Sequence, residues 1–181
     1  MSSERWNVVG RTELLDASPW LRVWAERLDL PDGRVVEAFY VLEMPDYALV
    51  VPTLNDRVLV QRSYKHGARR TGLHVPAGYL EPGENPLAGA QRELLEETGY
   101  TSDNWEELGT FANDGNRGAG HAHVFRAREI RKVTAPTSTD LEQAENFLMP
   151  REELVQALRR GDVPVLSSAA AIALALCGST S

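Results

Sequence analysis

Residues Gly78–Tyr100, GYLEPGENPLAGAQRELLEETGY, specify one short helix from both ends and crowd carboxylates onto it. Asn85 suits an N-cap, and Pro86 suits the first helical position, where its missing N–H costs nothing. Gly99 stands where a left-handed residue would stop the helix. Pro82-Gly83 suits the centre of a type II turn, which leaves Glu84 at the junction of turn and helix. At about 100° per residue, Leu87, Ala90, Leu94 and Leu95 occupy an arc that can face a core. Glu93, Glu96 and Glu97 share a separate arc roughly 100° wide in the last two turns.

Helix energetics disfavour acids in that place. The C-terminal end carries partial negative charge, and like charges at i,i+4, here Glu93 and Glu97, add about 0.2–0.5 kcal/mol of repulsion. Arg92 relieves part of this as an i,i+4 partner of Glu96. Two readings follow: a solvated acidic face, or a site for a hard divalent cation that takes oxygen ligands and shares them with substrate phosphates.

The rest of the chain sets bounds. Its 181 residues fit one sizeable core, and 43% hydrophobic with 25% charged residues is ordinary for a soluble globular protein. The opening MSSERWNVVG has no apolar signal region, and the longest apolar run, Ala169 to Cys177, is too short to span a bilayer. Cys177 is the sole cysteine, so no intrachain disulfide forms; a cytoplasmic location with no membrane partner is expected. A net charge of −7 argues against nucleic acid as partner and requires a local basic site for any polyanionic substrate.

Such a site lies just upstream. Arg57, Arg62, Lys65, His66, Arg69 and Arg70 follow one another with no acid between Arg57 and Arg70. Lys65–Gly72 reads as a loop whose cations can contact phosphate oxygens or simply stay solvated. Strands are expected at Trp20–Leu30 and Arg34–Glu43 across the Pro31-Asp32-Gly33 turn, and at Tyr47–Leu54 and Arg57–Arg62 across Asn55-Asp56. Trp105–Phe111 and His121–Arg128 are further strand candidates, split by the glycine-rich Asn113–Gly120. That segment holds Asn116 and Arg117, with His121 beside it, and reads either as a substrate-covering loop or as a surface connector. Helices are expected at Arg151–Arg160, ended by Gly161, and at Ser167–Leu176. Strands interspersed with isolated helices indicate α/β layering.

Gly78, Glu84, Arg92-Glu93-Leu94, Glu96-Glu97, Gly99 and Tyr100 together resemble the Nudix box, with eight of nine constrained positions filled and Tyr100 aromatic where an aliphatic residue is commoner. The resemblance implies a Nudix fold: a mixed β-sheet sandwiched between helices. It implies a pyrophosphohydrolase in which Glu93, Glu96 and Glu97, with the Ala77 carbonyl, hold Mg²⁺ or Mn²⁺. Gly78, Glu84, Arg92 and Gly99 would be the structural members of the box. The metal would neutralise a diphosphate and acidify the water that attacks phosphorus.

Beyond the box, ALVVPTLNDRVLVQRSYKHGARR, VPAG at Val75–Gly78 and the closing PREELVQALRRGDVPVLSSAAAIALAL are similar to the ADP-ribose and nucleotide-sugar pyrophosphatase branch. This implies residues 1–45 as an N-terminal antiparallel β extension that forms a homodimer, and residues 46–181 as the hydrolase domain. A nucleoside diphosphate derivative is the implied substrate, contacted by Arg62, Lys65, His66, Arg69, Arg70 and Arg117. The catalytic glutamates would be Glu96 and Glu97, with Glu142 or Glu145 as the base on a loop facing the box; the alternative for that loop is a solvated connector. His74 replaces a glutamate common in the branch and reads as a metal ligand, a phosphate contact or a structural side chain. Gly115-Asn116 stands where the branch commonly has a proline, so ADP-ribose itself does not follow. Other outcomes are a non-hydrolytic binding module, which tends to lose the carboxylates retained here, and hydrolysis of dinucleoside polyphosphates, NADH or nucleoside triphosphates. Isomerase chemistry on the same fold uses an active-site cysteine, a role for which Cys177 is poorly placed.

Overall fold

The computed structural model describes residues 5–137 and 144–177, and the chain groups into two compact units. The first contains the chain up to Asp46 together with Ala112–His121. Strands β1 (Asn7–Ala17), β2 (Leu21–Asp29) and β3 (Val35–Glu43) form an antiparallel meander. The turn between β2 and β3 is held by Asp32, whose Oδ1 accepts from Arg34 N–H at 3.1 Å. β1 escaped the sequence reading because its register shifts twice, between Val8 and Gly10 and between Glu13 and Leu15. Each shift breaks the alternation that marks a strand. Arg11 and Arg22 pair with Glu26 and Glu13 at 3.2 and 2.6 Å, and their guanidinium carbons lie 3.9 and 4.6 Å from the Trp24 ring centre. Trp6, Trp20 and Tyr40 remain exposed.

Ala112–His121 groups with this unit, not with the remainder of residues 46–181. The cause is local: Leu42 N–H donates to Arg117 O at 2.8 Å, and His121 N–H to Asp46 Oδ1 at 2.7 Å.

The second unit, Tyr47–Phe111 with the chain from Ala122 onward, contains β4 (Tyr47–Leu54), β5 (Arg57–Lys65), β6 (Arg70–His74), β7 (Ala77–Tyr79), α1 (Pro86–Thr98) and β8 (Tyr100–Thr101). It continues through most of β9 (Asn104–Asp114) and β10 (Gly118–Arg128), then β11 (Arg131–Lys132), β12 (Glu145–Pro150), α2 (Arg151–Arg160) and α3 (Leu166–Cys177). β10 runs parallel to β4, whereas β4–β5, β4–β7, β5–β6 and β5–β12 are antiparallel. Helices cover both faces of this mixed sheet, which is the expected α/β architecture. Ala48 and Val50 of β4 pack in one core with Ala90 and Leu94 of α1. Leu49 and Val51 pack in the other with Leu154 of α2 and Ile172 of α3.

Three local expectations are corrected. Leu95 is 38% exposed, because it lies about 100° round the helix from Leu94. Lys65–Gly72 is not an open loop: Lys65 pairs with Arg70 and Tyr64 with Thr71, so only residues 66–69 turn between β5 and β6. The glycine-rich Asn113–Gly120 is likewise mostly strand, with β9 ending at Asp114 and β10 starting at Gly118. Asp114 Oδ1 accepts from the N–H groups of Asn116 and Arg117 at 2.8 and 2.9 Å and tightens the turn. Among the described residues no helix is long and apolar enough to cross a membrane.

Candidate active site

α1 has the ends its sequence dictates. Asn85 Oδ1 accepts from Leu87 N–H at 3.0 Å, Pro86 occupies the first helical position, and Gly99 at φ 74° donates to Leu95 O at 2.8 Å. Upstream, Glu84 N–H donates to Glu81 O at 2.9 Å and closes the Pro82-Gly83 turn.

This frame fixes Arg92. Its Nε and Nη2 each lie 3.0 Å from a different oxygen of Glu84. Nη1 is 2.6 Å from Glu93 Oε1 and 3.3 Å from Glu96 Oε2, and Nη2 donates to the Tyr79 carbonyl at 3.1 Å. Hydrogen bonding to Arg92 lowers the Glu84 pKa from 4.5 against the opposing effect of burial, with the Glu81 N–H adding to the lowering. Arg92 is itself shifted upward, chiefly by Glu84. A depressed carboxylate contributes stability that is full above its unfolded pKa and lost as pH falls through the folded one. Wild type is therefore expected to melt above Glu84→Gln at neutral pH, with the gap closing as the pH drops below 4.5. Thermal melts across an acid series check this, and a gap that persists in acid counts against it.

Glu93 and Glu97 reach to β7. Glu93 is 8% exposed, and a Cβ on Gly78 would stand 2.1 Å from its carboxyl carbon. The carboxylate thus fills the space that glycine leaves. Ala77 N–H donates to Glu97 Oε2 at 3.1 Å. The last turns of α1 and the backbone of β7 therefore form one wall carrying Glu93 and Glu97, with Glu96 alongside through Arg92. These are hard oxygen donors, and Glu84, Glu93, Glu96 and Glu97 outnumber the one guanidinium among them. That donor chemistry suits a hard divalent cation. Among the described residues no three His, Cys, Asp or Glu side chains are gathered into a ready metal cluster; Glu93 and Glu96 lean on Arg92, and Glu97 on the Ala77 N–H.

Residues 44–168 match the family described as NUDIX domain. The chain belongs to it. An ADP-ribose pyrophosphatase of Bacillus subtilis (strain 168) is 31% identical over 60% of this chain, although the match spans only 58% of that protein. A CMP-5'-(N-acetyl-N-hydroxy-3-aminopropyl)phosphonate hydrolase of Streptomyces rubellomurinus is 30% identical over 87% of this chain and 75% of its own length. A crystal structure of an ADP compounds hydrolase superposes with a TM-score of 0.82, covering 97% of this chain and 95% of that one; at 18% identity it speaks for the fold. The sequence resemblances include Nudix pyrophosphohydrolases of the ADP-ribose pyrophosphatase kind.

Outside the Nudix box the expected site residues scatter. His74 is 5% exposed, and its Nε2 lies 2.8 Å from Ser63 Oγ; this buried pairing favours the structural reading. Lys65, His66, Arg69 and Arg70 lie in the β5–β6 turn or on the strand ends beside it, where Arg69 Nη1 lies 2.8 Å from His66 Nε2 and Arg70 Nη2 donates to Gly161 O at 2.9 Å. Arg62 has its guanidinium carbon 5.2 Å from the Phe147 ring centre. Its cross-strand partner is Glu145. Strand alternation turns both, with Phe147, towards the α2–α3 core and away from α1. Arg117 lies in the first unit, where it is exposed and donates to Asp114. Glu142 lies outside the described residues.

Two contributors went unforeseen. Tyr79 offers only its carbonyl to Arg92, a role open to any residue type. Asn146 Nδ2 donates to the main-chain oxygen of Glu97 at 2.9 Å, a contact that depends on strand register and so leaves no local pattern.

Proposed function

We propose that this chain is a divalent-metal-dependent pyrophosphohydrolase that cleaves a nucleoside diphosphate linked to a second group, of the ADP-ribose or nucleotide-sugar type. The carboxylates of Glu93 and Glu97, set along the Ala77–Gly78 backbone in a Nudix-family chain, carry this reading. Glu93, Glu96 and Glu97 would hold Mg²⁺ or Mn²⁺, with the Ala77 carbonyl as a further donor. A bound cation supplies neutralisation of diphosphate charge and a more acidic water at neutral pH. Glu84 and Arg92 brace the junction between turn and helix. Lys65, Arg69 and Arg70, with His66 beside them, give a chain of net charge −7 a local basic surface for the phosphates. Arg62, over Phe147, and Arg117, on Asp114, carry no part in this reading. The products would be a nucleoside monophosphate and the phosphorylated second group.

The test is a panel of nucleoside diphosphate sugars, dinucleoside polyphosphates, NADH and nucleoside triphosphates assayed with Mg²⁺ and with Mn²⁺. Metal-dependent release of nucleoside monophosphate, fastest from the diphosphate-linked compounds, is expected. Tight binding without turnover would instead make the chain a sensing module.

For the base, a group must come within hydrogen-bond reach of the attacking water, directly or through one further water. Glu145 faces the α2–α3 side, so the larger loss is expected in Glu142→Gln: kcat falls far more than KM rises, while Glu145→Gln stays near wild type. Steady-state kinetics on the best substrate decide it. Near-normal kcat in both variants would make that segment a solvated connector.

Trp6, Trp20 and Tyr40 on the first unit are the basis for proposing a homodimer. A dimer is expected by sedimentation at micromolar concentration, and a monomer there rejects it. A reducing, cytoplasmic setting suits a chain whose single cysteine, Cys177, is exposed.

A further inference from the structure

The carbonyls of a helix's last turn have no partner inside the helix, and in α1 that turn carries Glu96 and Glu97. Gly99 N–H donates to Leu95 O at 2.8 Å, Thr137 N–H to Glu96 O at 2.8 Å, and Asn146 Nδ2 to Glu97 O at 2.9 Å. The first two are main-chain donors. The third is a side chain reaching from β12.

This bond fixes which way the amide points. Only the NH₂ group can donate to a carbonyl, so Oδ1 is the end left over. Among the described residues that Oδ1 is buried with no hydrogen-bond partner, and so is Oε1 of Gln61, a residue 1% exposed and directly across the β12–β5 pairing. Gln61 in turn pairs across β5–β6 with His74. A buried unpaired acceptor lowers stability, so packing alone gives no reason for an amide at position 146. The bond to Glu97 gives one.

We propose that Asn146 is a positioning residue for Glu97. Its bond to the Glu97 main chain fixes the last turn of α1 relative to the sheet. That turn sets where the Glu97 carboxylate meets Ala77 N–H, and with it the oxygen donors available to a divalent cation. The inference rests on the reading of Glu93, Glu96 and Glu97 as cation ligands. Groups that orient a metal ligand without touching the metal typically change metal affinity or activity by about 10–100-fold when removed.

The test uses the full chain and Mn²⁺ as probe. Asn146→Leu keeps the side-chain shape, removes the donor and removes the unpaired oxygen; Asn146→Ala is the second variant. Gln61→Met removes the neighbouring unpaired oxygen and leaves the Asn146–Glu97 bond in place. Expected for both Asn146 variants is a Mn²⁺ dissociation constant raised about tenfold or more by calorimetry, with kcat falling and KM nearly unchanged. In metal-free Asn146→Leu the melting temperature stays close to the parent's. Gln61→Met is expected to bind Mn²⁺ as the parent does. Parent-like Mn²⁺ affinity in Asn146→Leu overturns the proposal, and so does an equal loss in Gln61→Met, which would assign the effect to the buried polar layer as a whole. Failure of both Asn146 variants to fold also overturns it, leaving a purely structural side chain. A parent protein that binds no Mn²⁺ and hydrolyses nothing in the panel removes the underlying reading instead, a result visible without any variant.

Discussion

Glu97→Gln is expected to remove nearly all turnover while leaving the metal-free protein as stable as before, or slightly more so. Glu97 is one of the proposed cation ligands, so the loss should exceed the roughly 10–100-fold typical of residues that only support a ligand. The fold has little reason to object. A glutamine oxygen can still accept from Ala77 N–H, now 3.1 Å from Glu97 Oε2. Neutralising one of two acids at i,i+4 also relieves about 0.2–0.5 kcal/mol of repulsion. Turnover on the best substrate, paired with a thermal melt in chelator, measures both halves. An active Glu97→Gln enzyme would end the cation-ligand assignment.

Gly78→Ala is expected to separate function from folding in the same way through a single methyl group. The new Cβ would sit 2.1 Å from the Glu93 carboxyl carbon, so the two cannot both stay. Glu93 has a flexible side chain and its carboxyl group is the mobile end, so it yields by rotating away and the backbone need not shift. Folding should therefore survive with a modest loss of stability. The displaced carboxylate should lower turnover by about 10²-fold, the scale set by misplacing a reacting group by an ångström. Kinetics and a melt on one preparation test this. Full activity in Gly78→Ala would mean that the pocket in front of Gly78 is not where Glu93 works.

What the sequence could tell about this site depended on how local the cause was. Asn85, Pro86 and Gly99 act on backbone groups within a few residues, and α1 starts and stops where they require. Gly161 ends α2 on the same principle. The Pro82-Gly83 turn and the approach of Arg92 to Glu84 are also short-range. Contacts set by register were not legible. Asn146 meets Glu97 because β12 pairs with β5 so that Asn146 lies opposite Gln61, and no residue near position 146 signals it. The same pairing turns Glu145 and Arg62 away from α1, although both looked suitable by type and neighbourhood. In β1 two bulges erased the alternation. In residues 65–72, Gly67 and Gly72 suggested a loop where the Tyr64–Thr71 pair makes a strand.

The two cores have unequal work. On the α2–α3 side, Val58, Val60, Leu154 and Ile172 pack in a core that includes none of the box carboxylates. On the α1 side the sheet also carries Gln61, Ser63, His74 and Asn146, and the helix above it bears the acids. Mutational tolerance should split along the same plane. Cavity-filling changes under α2 and α3 offer a route to a hardier protein with unaltered chemistry. Equivalent changes under α1 would disturb the packing beneath the helix that bears the carboxylates, so gains in robustness there would come at the expense of rate.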